Sequence, residues 1–183
     1  MKNLYILFRK YAISIKDIPL LGMRLILANV FWTTGMEKWN NIEGTIWWFE
    51  NSLGIPFPTF NAYMAAGTEL ISAVLLLLGF ATRLISIPLT FVLIIAMMTV
   101  HYTNGWLAIA SSISPEVAER LSRAKEILKE NGNYDWLTET GSFVILNNGV
   151  EFVVMYIMFL LILLSSGAGK VSIDFIINKF SKK

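Results

Sequence analysis

The dominant pattern along the chain is four long apolar runs, over residues 18–36, 60–80, 84–102 and 150–166, separated by polar or turn-rich segments. None alternates with the period of two expected of a half-buried strand, and each is longer than a typical strand. A helix needs roughly 20 apolar residues to cross a hydrocarbon core ~30 Å thick. With their flanks, the runs predict helices over about 18–38, 60–81, 83–103 and 148–167. The expected architecture is all-α: a four-helix transmembrane bundle forming one membrane domain over residues 1–183. Composition agrees, with 55% hydrophobic and 15% charged residues, against ~25% charged in ordinary soluble domains.

The segments outside the runs carry helical patterns of their own. Leu4, Leu7, Phe8, Tyr11 and Ile15 form an apolar face over a basic one, and Ile173, Ile176, Ile177 and Phe180 do the same near the C-terminus. Basic amphipathic segments of this kind lie in the interface beside anionic headgroups. A cleavable signal peptide is a poor reading of the N-terminus, because Lys2, Arg9, Lys10 and Lys16 are spread along it and no clean cleavage site follows Gly22. Residues 106–146 form an insertion between the third and fourth runs. Within it, Ser114-Pro115-Glu116 is a helix start, Val117, Leu121, Ala124 and Leu128 recur at helical spacing, and Asn131-Gly132 is a stop. This predicts one outer amphipathic helix, serving as a lid, a docking surface or a solvated insertion.

Charge sets an orientation. With both termini inside, nine Lys and Arg fall on inner segments, five on the longer outer ones, and Arg24 within the first span. That asymmetry places the termini in the cytoplasm. All six tryptophans then fall on the outer half, where such rings favour the headgroup level. The net charge of +2 gives no reason to expect a nucleic-acid partner. With no cysteine and one histidine, the chain alone cannot build a disulfide, a thiolate nucleophile, an iron–sulfur cluster or a bis-histidine haem. No flavin-binding motif is present either.

Ionisable groups at membrane depth are costly and need a partner or a function. Glu69 lies near the middle of the second run, on a face with Ala62, Ala65, Ala66, Ser72 and Ala73. Small residues at that spacing let another helix approach closely. Arg24 and Asn29 are its expected partners on the first helix, Asn29 at nearly the same depth. The pair is either a register-fixing ion pair or part of a working site. Glu37, His101 and Glu151 fall near the outer ends of three helices and form an expected polar layer able to relay protons or bind a polar headgroup. Met97 shares a face with His101, and Met155 and Met158 share one with Glu151. These methionines either line a slot for a flat apolar ligand such as a quinone or fill the core. Their thioethers are soft ligands of the Cu(I) type, but the spacing is not diagnostic and no metal site is expected.

At these residues the sequence resembles the DoxX family of small four-helix membrane proteins. Gly35-Met36-Glu37-Lys38 is similar to its G-x-x-K segment, and residues 45–58 are similar to its first loop with an L-G-x-P-x-P ending. Glu69-Leu70 through Leu78-Gly79-Phe80-Ala81-Thr82-Arg83 resembles its E-L…L-G-x-x-T-R helix. His101 with Asn104-Gly105-Trp106, then Asn148-Gly149-Val150-Glu151, and finally Gly169-Lys170-Val171-Ser172-Ile173-Asp174 resemble three later motifs. Residues 107–146 depart from the family, being longer than its usual connection. The resemblance implies membrane partners of oxidoreductases, such as subunits of thiosulfate:quinone oxidoreductase, and it marks Glu69, His101, Asn104 and Glu151 as motif residues.

Two functions follow as expectations. One is an inner-membrane subunit of a quinone-linked oxidoreductase, with Glu69, His101 and Glu151 as candidate catalytic residues. Arg24, Asn29, Glu37, Met97, Asn104, Met155 and Met158 are then candidates for ligand binding, the quinone being supplied by the bilayer. The other is a non-enzymatic anchoring, assembly or permeation subunit that docks a protein partner or a second copy on its outer face.

Overall fold

The structure is a computed structural model that describes Ile6, residues 15–111 and residues 113–181. The N-terminal amphipathic face, apart from Ile15, lies outside the described residues. Eight α-helices with described bounds follow in order among the described residues: α1 Asp17–Asn40, α2 Ile42–Asn51, α3 Pro58–Leu78, α4 Thr82–Ala96, α5 Pro115–Asn131, α6 Tyr134–Leu137, α7 Glu151–Ser166 and α8 Ile173–Phe180. Beyond α4 the chain continues as a π-helical turn, Met97–His101, and a 3₁₀ turn, Tyr102–Asn104. The only β pairing among the described residues is an isolated antiparallel bridge between Ile109 and Leu146.

Among the described residues, three helices are long and apolar enough to cross a membrane: Asp17–Asn40, Pro58–Leu78 and Thr82–Asn104. The fourth run folds as a shorter apolar helix of 16 residues, Glu151–Ser166. It is trimmed at both ends relative to 148–167, because residues 147–150 are drawn into backbone pairing and Gly167 turns the chain at φ +83°. Large apolar side chains such as Leu25, Ile26, Ile71, Leu84 and Phe91 are exposed on these helices. A soluble chain would bury such a surface, whereas a bilayer solvates it.

The chain divides into two compact units: Ala96–Val154, and the residues up to Ile95 together with those from Met155 onward. In the larger unit α1 packs along α3. The buried face of α3 is Ala62, Ala66, Glu69, Ser72, Ala73 and Leu76, the small-residue stripe read from the sequence. Opposite it, α1 buries Leu20, Leu27, Ala28 and Phe31. Gly35 sets the closest approach, since a Cβ there would lie 2.9 Å from Leu70 Cγ and 3.2 Å from Glu69 Cβ. Within residues 45–58, read as a loop, the stretch up to Asn51 belongs instead to helix α2. Asn41 Oδ1 accepts from Gly44 N at 3.2 Å to cap it, and Thr45 and Phe49 are its buried residues.

In the smaller unit, α5 has the bounds expected from Pro115 and Gly132, although the Ser114 side chain makes no capping bond. It buries no residue, and its exposed face carries ion pairs Arg120–Glu116 at 2.5 Å and Arg123–Glu119 at 2.9 Å. Back in the larger unit, α8 is amphipathic as expected. Phe175, Ile176, Ile177 and Phe180 remain exposed, free to meet the interface.

Candidate functional site

Three polar clusters sit among the apolar helices, and each joins sequence motifs far apart in the chain. The first holds Arg24, 1% exposed on α1. Its guanidinium donates from Nε to Leu76 O at 2.9 Å and from Nη2 to Leu77 O at 3.0 Å. Nη1 donates to Ala168 O at 2.9 Å and Val171 O at 2.7 Å. The first two carbonyls belong to the last turn of α3, where the helix runs short of backbone donors and the dipole favours a cation, although Leu76 O also accepts from Gly79 N at 3.1 Å. Just beyond, Gly79 turns left-handed at φ +65°, and a Cβ there would lie 2.6 Å from the guanidinium carbon. Asp174 supplies opposite charge to Arg24. Its two oxygens accept from Ala81 N at 2.8 Å and Thr82 N at 3.0 Å, capping the start of α4. One reversal of the chain is therefore held by a cation behind it and an anion ahead of it.

The second cluster corrects the expected Arg24–Glu69 pairing. Glu69, 4% exposed, pairs with Lys38 at 2.8 Å and accepts from Thr34 Oγ1 at 2.9 Å. Asn29 is exposed and lies more than one turn before this contact on α1. The register is set by Gly35 against Glu69 and Leu70, and by Arg24 against the end of α3. Side chains on a helix lean toward its N-terminus. Lys38 accordingly reaches back over Thr34, also donating to Thr34 O at 3.3 Å, and carries its charge inward to Glu69. The sequence motifs around Gly35 and Lys38 and around Glu69 and Leu70 are thus two sides of one seam.

An asymmetric mutant response should follow from that geometry. In Glu69→Gln the amide still accepts from Thr34, and Lys38, whose side chain is 22% exposed, turns to solvent. Lys38→Met instead strands a buried carboxylate. We expect Lys38→Met to cost about 2 kcal/mol, below the ~3–5 of a fully buried pair, Glu69→Gln to cost less, and the double variant to recover most of the loss. Thermal unfolding in detergent measures all three, and equal single-variant losses would contradict this assignment.

The third cluster lies within the smaller unit and contains His101, Asn104 and Glu151. Residues 105–110 and 145–151 run side by side. Gly149 N, Val150 N and Glu151 N donate to the carbonyls of Leu107, Gly105 and Trp106, each at 3.0 Å. Asn147 Nδ2 donates to Asn104 O at 2.6 Å and Leu107 O at 3.2 Å. Asn104 Nδ2 donates to Asn148 O at 3.3 Å, and Glu151 Oε2 accepts from Ala108 N at 3.1 Å. Asn148 takes φ +57°, a conformation its short amide tolerates. His101 Nδ1 lies 2.9 Å from Asn148 O. A carbonyl oxygen can only accept, so Nδ1 carries the proton and the neutral ring keeps its lone pair on Nε2. His101 also ends a π-helical turn, a local distortion common at functional sites.

The remaining candidates are placed singly. Glu37 is exposed on α1, Met155 and Met158 are exposed on α7, and Met97 is half-buried in the π turn. His101 and Glu151 share the clasp without bonding to each other. Sequence reading missed Lys38 and Thr34 as partners of Glu69. The signal available was Lys38 itself, a cation one turn beyond a glycine at the end of an apolar helix.

Long apolar helices with charged groups sealed between them define a multi-pass helical membrane protein. Residues 19–102 match the family model described as DoxX. An uncharacterised protein of Haemophilus influenzae is 29% identical over 168 residues, covering 88% of this chain and 85% of that one. A Bacillus subtilis protein named "Putative oxidoreductase CatD" is 39% identical over 84 residues, 46% of this chain and 60% of that relative's length. No solved structure matches the chain.

Proposed function

We propose that this chain is an inner-membrane subunit of a quinone-linked oxidoreductase system, with both termini in the cytoplasm, in which His101 exchanges a proton with a quinone oxygen. The observation that carries this reading is the fixed tautomer. With Nδ1–H committed to Asn148 O, the neutral ring offers Nε2 as a base at the end of an apolar span. Oxidation of a quinol releases two electrons and two protons. His101 takes one proton at Nε2, the second passes to water, and the electrons pass to a partner subunit or an oxidised substrate. Glu151 and Asn104 hold the clasp that orients the ring, and Met97 lies on the turn that carries it. Glu69, with Lys38, keeps the α1–α3 seam closed. The oxidoreductase name of the B. subtilis relative is consistent with this assignment, and the cation asymmetry supports the orientation.

The test is a titration of the purified protein in detergent with the reduced, quinol form of a ubiquinone or menaquinone analogue, followed by tryptophan quenching. Saturable binding that His101→Gln weakens about ten-fold, as expected for loss of one hydrogen bond from a quinol hydroxyl to Nε2, supports the proposal. No saturation in the wild type, or identical titrations, removes it.

A second reading rests on α5, which buries nothing. Its half-covered Val117, Leu121 and Leu128 would then dock a protein partner, with no chemistry in the membrane. Complementation separates the two. Function that survives Glu69→Gln and His101→Gln but not polar changes at Val117, Leu121 and Leu128 favours docking.

A further inference from the structure

A cavity of 860 Å³ opens in the larger unit where the spans end. It lies at the starts of α1 and α4 and at the end of α7, beside the amphipathic α8. Its floor is apolar, formed by Leu20, Met23, Leu84 and Ile162, and its rim carries Lys16, Arg83 and Lys170. Two carboxylates also line it, Asp17 and Asp174, but both are engaged. Asp17 accepts from Lys170 N at 3.0 Å and lies 3.6 Å from Lys170 Nζ. Asp174 caps α4 with both oxygens and faces the charge of Arg24. Cations therefore outnumber carboxylates around this end, and among the described residues Lys16 and Arg83 form no ion pair.

We infer that this cavity seats an anionic phospholipid, its phosphate against Lys16 and Arg83 and the start of its acyl chains on Leu20, Met23, Leu84 and Ile162. Three features favour a lipid over a soluble anion. The floor is apolar, the site lies at the level where helices leave the hydrocarbon, and the exposed Phe175, Ile176 and Phe180 of the adjacent α8 are suited to the same layer. A phosphodiester matches the surplus positive charge, and basic pockets between spans are known settings for such headgroups. The site is independent of the quinone proposal, since it involves neither His101 nor Glu69.

Native mass spectrometry of the full-length protein tests this. Detergent micelles would carry equal amounts of phosphatidylglycerol and phosphatidylcholine with the same acyl chains. The wild type should retain phosphatidylglycerol preferentially. Lys16→Gln and Arg83→Gln should each lower that preference about five-fold, and the double variant should abolish it. Lys179→Gln, a cation outside the cavity lining, should leave it unchanged. Met23→Trp keeps every charge but fills the floor, and should reduce retention of both lipids. Added inorganic phosphate should displace neither. The inference is overturned if the wild type shows no preference, if the double variant keeps it, or if inorganic phosphate competes. Should the double variant fail to fold, undiminished retention by Met23→Trp overturns it equally.

Discussion

Arg24→Ala should leave no monodisperse protein in detergent. Its side chain is almost fully buried and donates four hydrogen bonds, each to a backbone carbonyl, at Leu76, Leu77, Ala168 and Val171. These acceptors are fixed by the backbone and cannot be mutated away. Leu76 O keeps a bond from Gly79 N, but Leu77 O, Ala168 O and Val171 O lose the guanidinium donor, at ~1–3 kcal/mol for each group that stays dry. It also removes the cation from the end of the α3 dipole and from beside Asp174. A loss of at least ~5 kcal/mol is expected, comparable with the whole stability of many domains. Arg24→Lys should recover little. A compact ammonium offers three donors around one point, whereas the planar guanidinium reaches α3 on one side and residues 168–171 on the other. Size-exclusion profiles and thermal unfolding of the three proteins provide the measurement, and a monodisperse, wild-type-like Arg24→Ala would refute the structural role.

That same arginine shows where sequence reading stops. Its depth in the first span was plain, and so was its need for a partner. The partner was not, because backbone carbonyls carry no mark in the residue alphabet. A carboxylate was the visible choice, and Glu69 was the visible carboxylate. Glu69 in turn belongs to Lys38, which by position looks like an ordinary anchor at a helix end. Only the lean of side chains toward the N-terminus, combined with the Gly35 approach, brings them together. By contrast, the stripe of Ala62, Ala66, Ser72 and Ala73 and the bounds of α5 follow from periodicity and from Pro115 and Gly132. Those signals are local and need no knowledge of a distant segment. Helix α2 is hidden because residues 45–58 read as a loop with turn residues. Asn41, which accepts from Gly44 N, is a local cap signal, whereas the burial of Phe49 depends on packing against other helices.

Seen together, the motif residues are mostly structural partners of one another. Gly35 and Lys38 meet Glu69. Gly79 and Thr82 meet Asp174, with Arg24 behind them. His101 and Asn104 meet Asn148, and Gly105 meets Val150. A polar residue that fixes a seam is unavailable for chemistry unless an atom is left over. Arg24 spends its guanidinium on carbonyls, and Asp174 spends both oxygens on amides. The fixed tautomer of His101 does leave one, Nε2, which is why the proton-handling proposal rests there rather than on Glu69.

Gly149→Ala should open the clasp that holds this histidine. A Cβ at position 149 would lie 2.5 Å from Leu107 O, 2.6 Å from Gly105 O and 2.7 Å from Trp106 O. All three are backbone atoms, so no side-chain rotation relieves the contact. They are also the acceptors for Gly149 N, Val150 N and Glu151 N, and moving them apart breaks those bonds together. At about 1 kcal/mol net for each, the three amount to ~3 kcal/mol, or roughly a hundred-fold in a local opening equilibrium. Hydrogen–deuterium exchange should therefore rise by about that factor over residues 105–110 and 147–151, while the middle of α1 and α3, in the other compact unit, keeps its protection. Gly141→Ala is the control, since nothing lies within 4 Å of its added carbon. Because the carbonyl of Asn148 orients His101, the same variant should lose quinone-analogue binding with the imidazole still present. Unchanged exchange in Gly149→Ala would break the link between the clasp and the ring, and binding that persists with the clasp open would remove Asn148 from the proposed proton path.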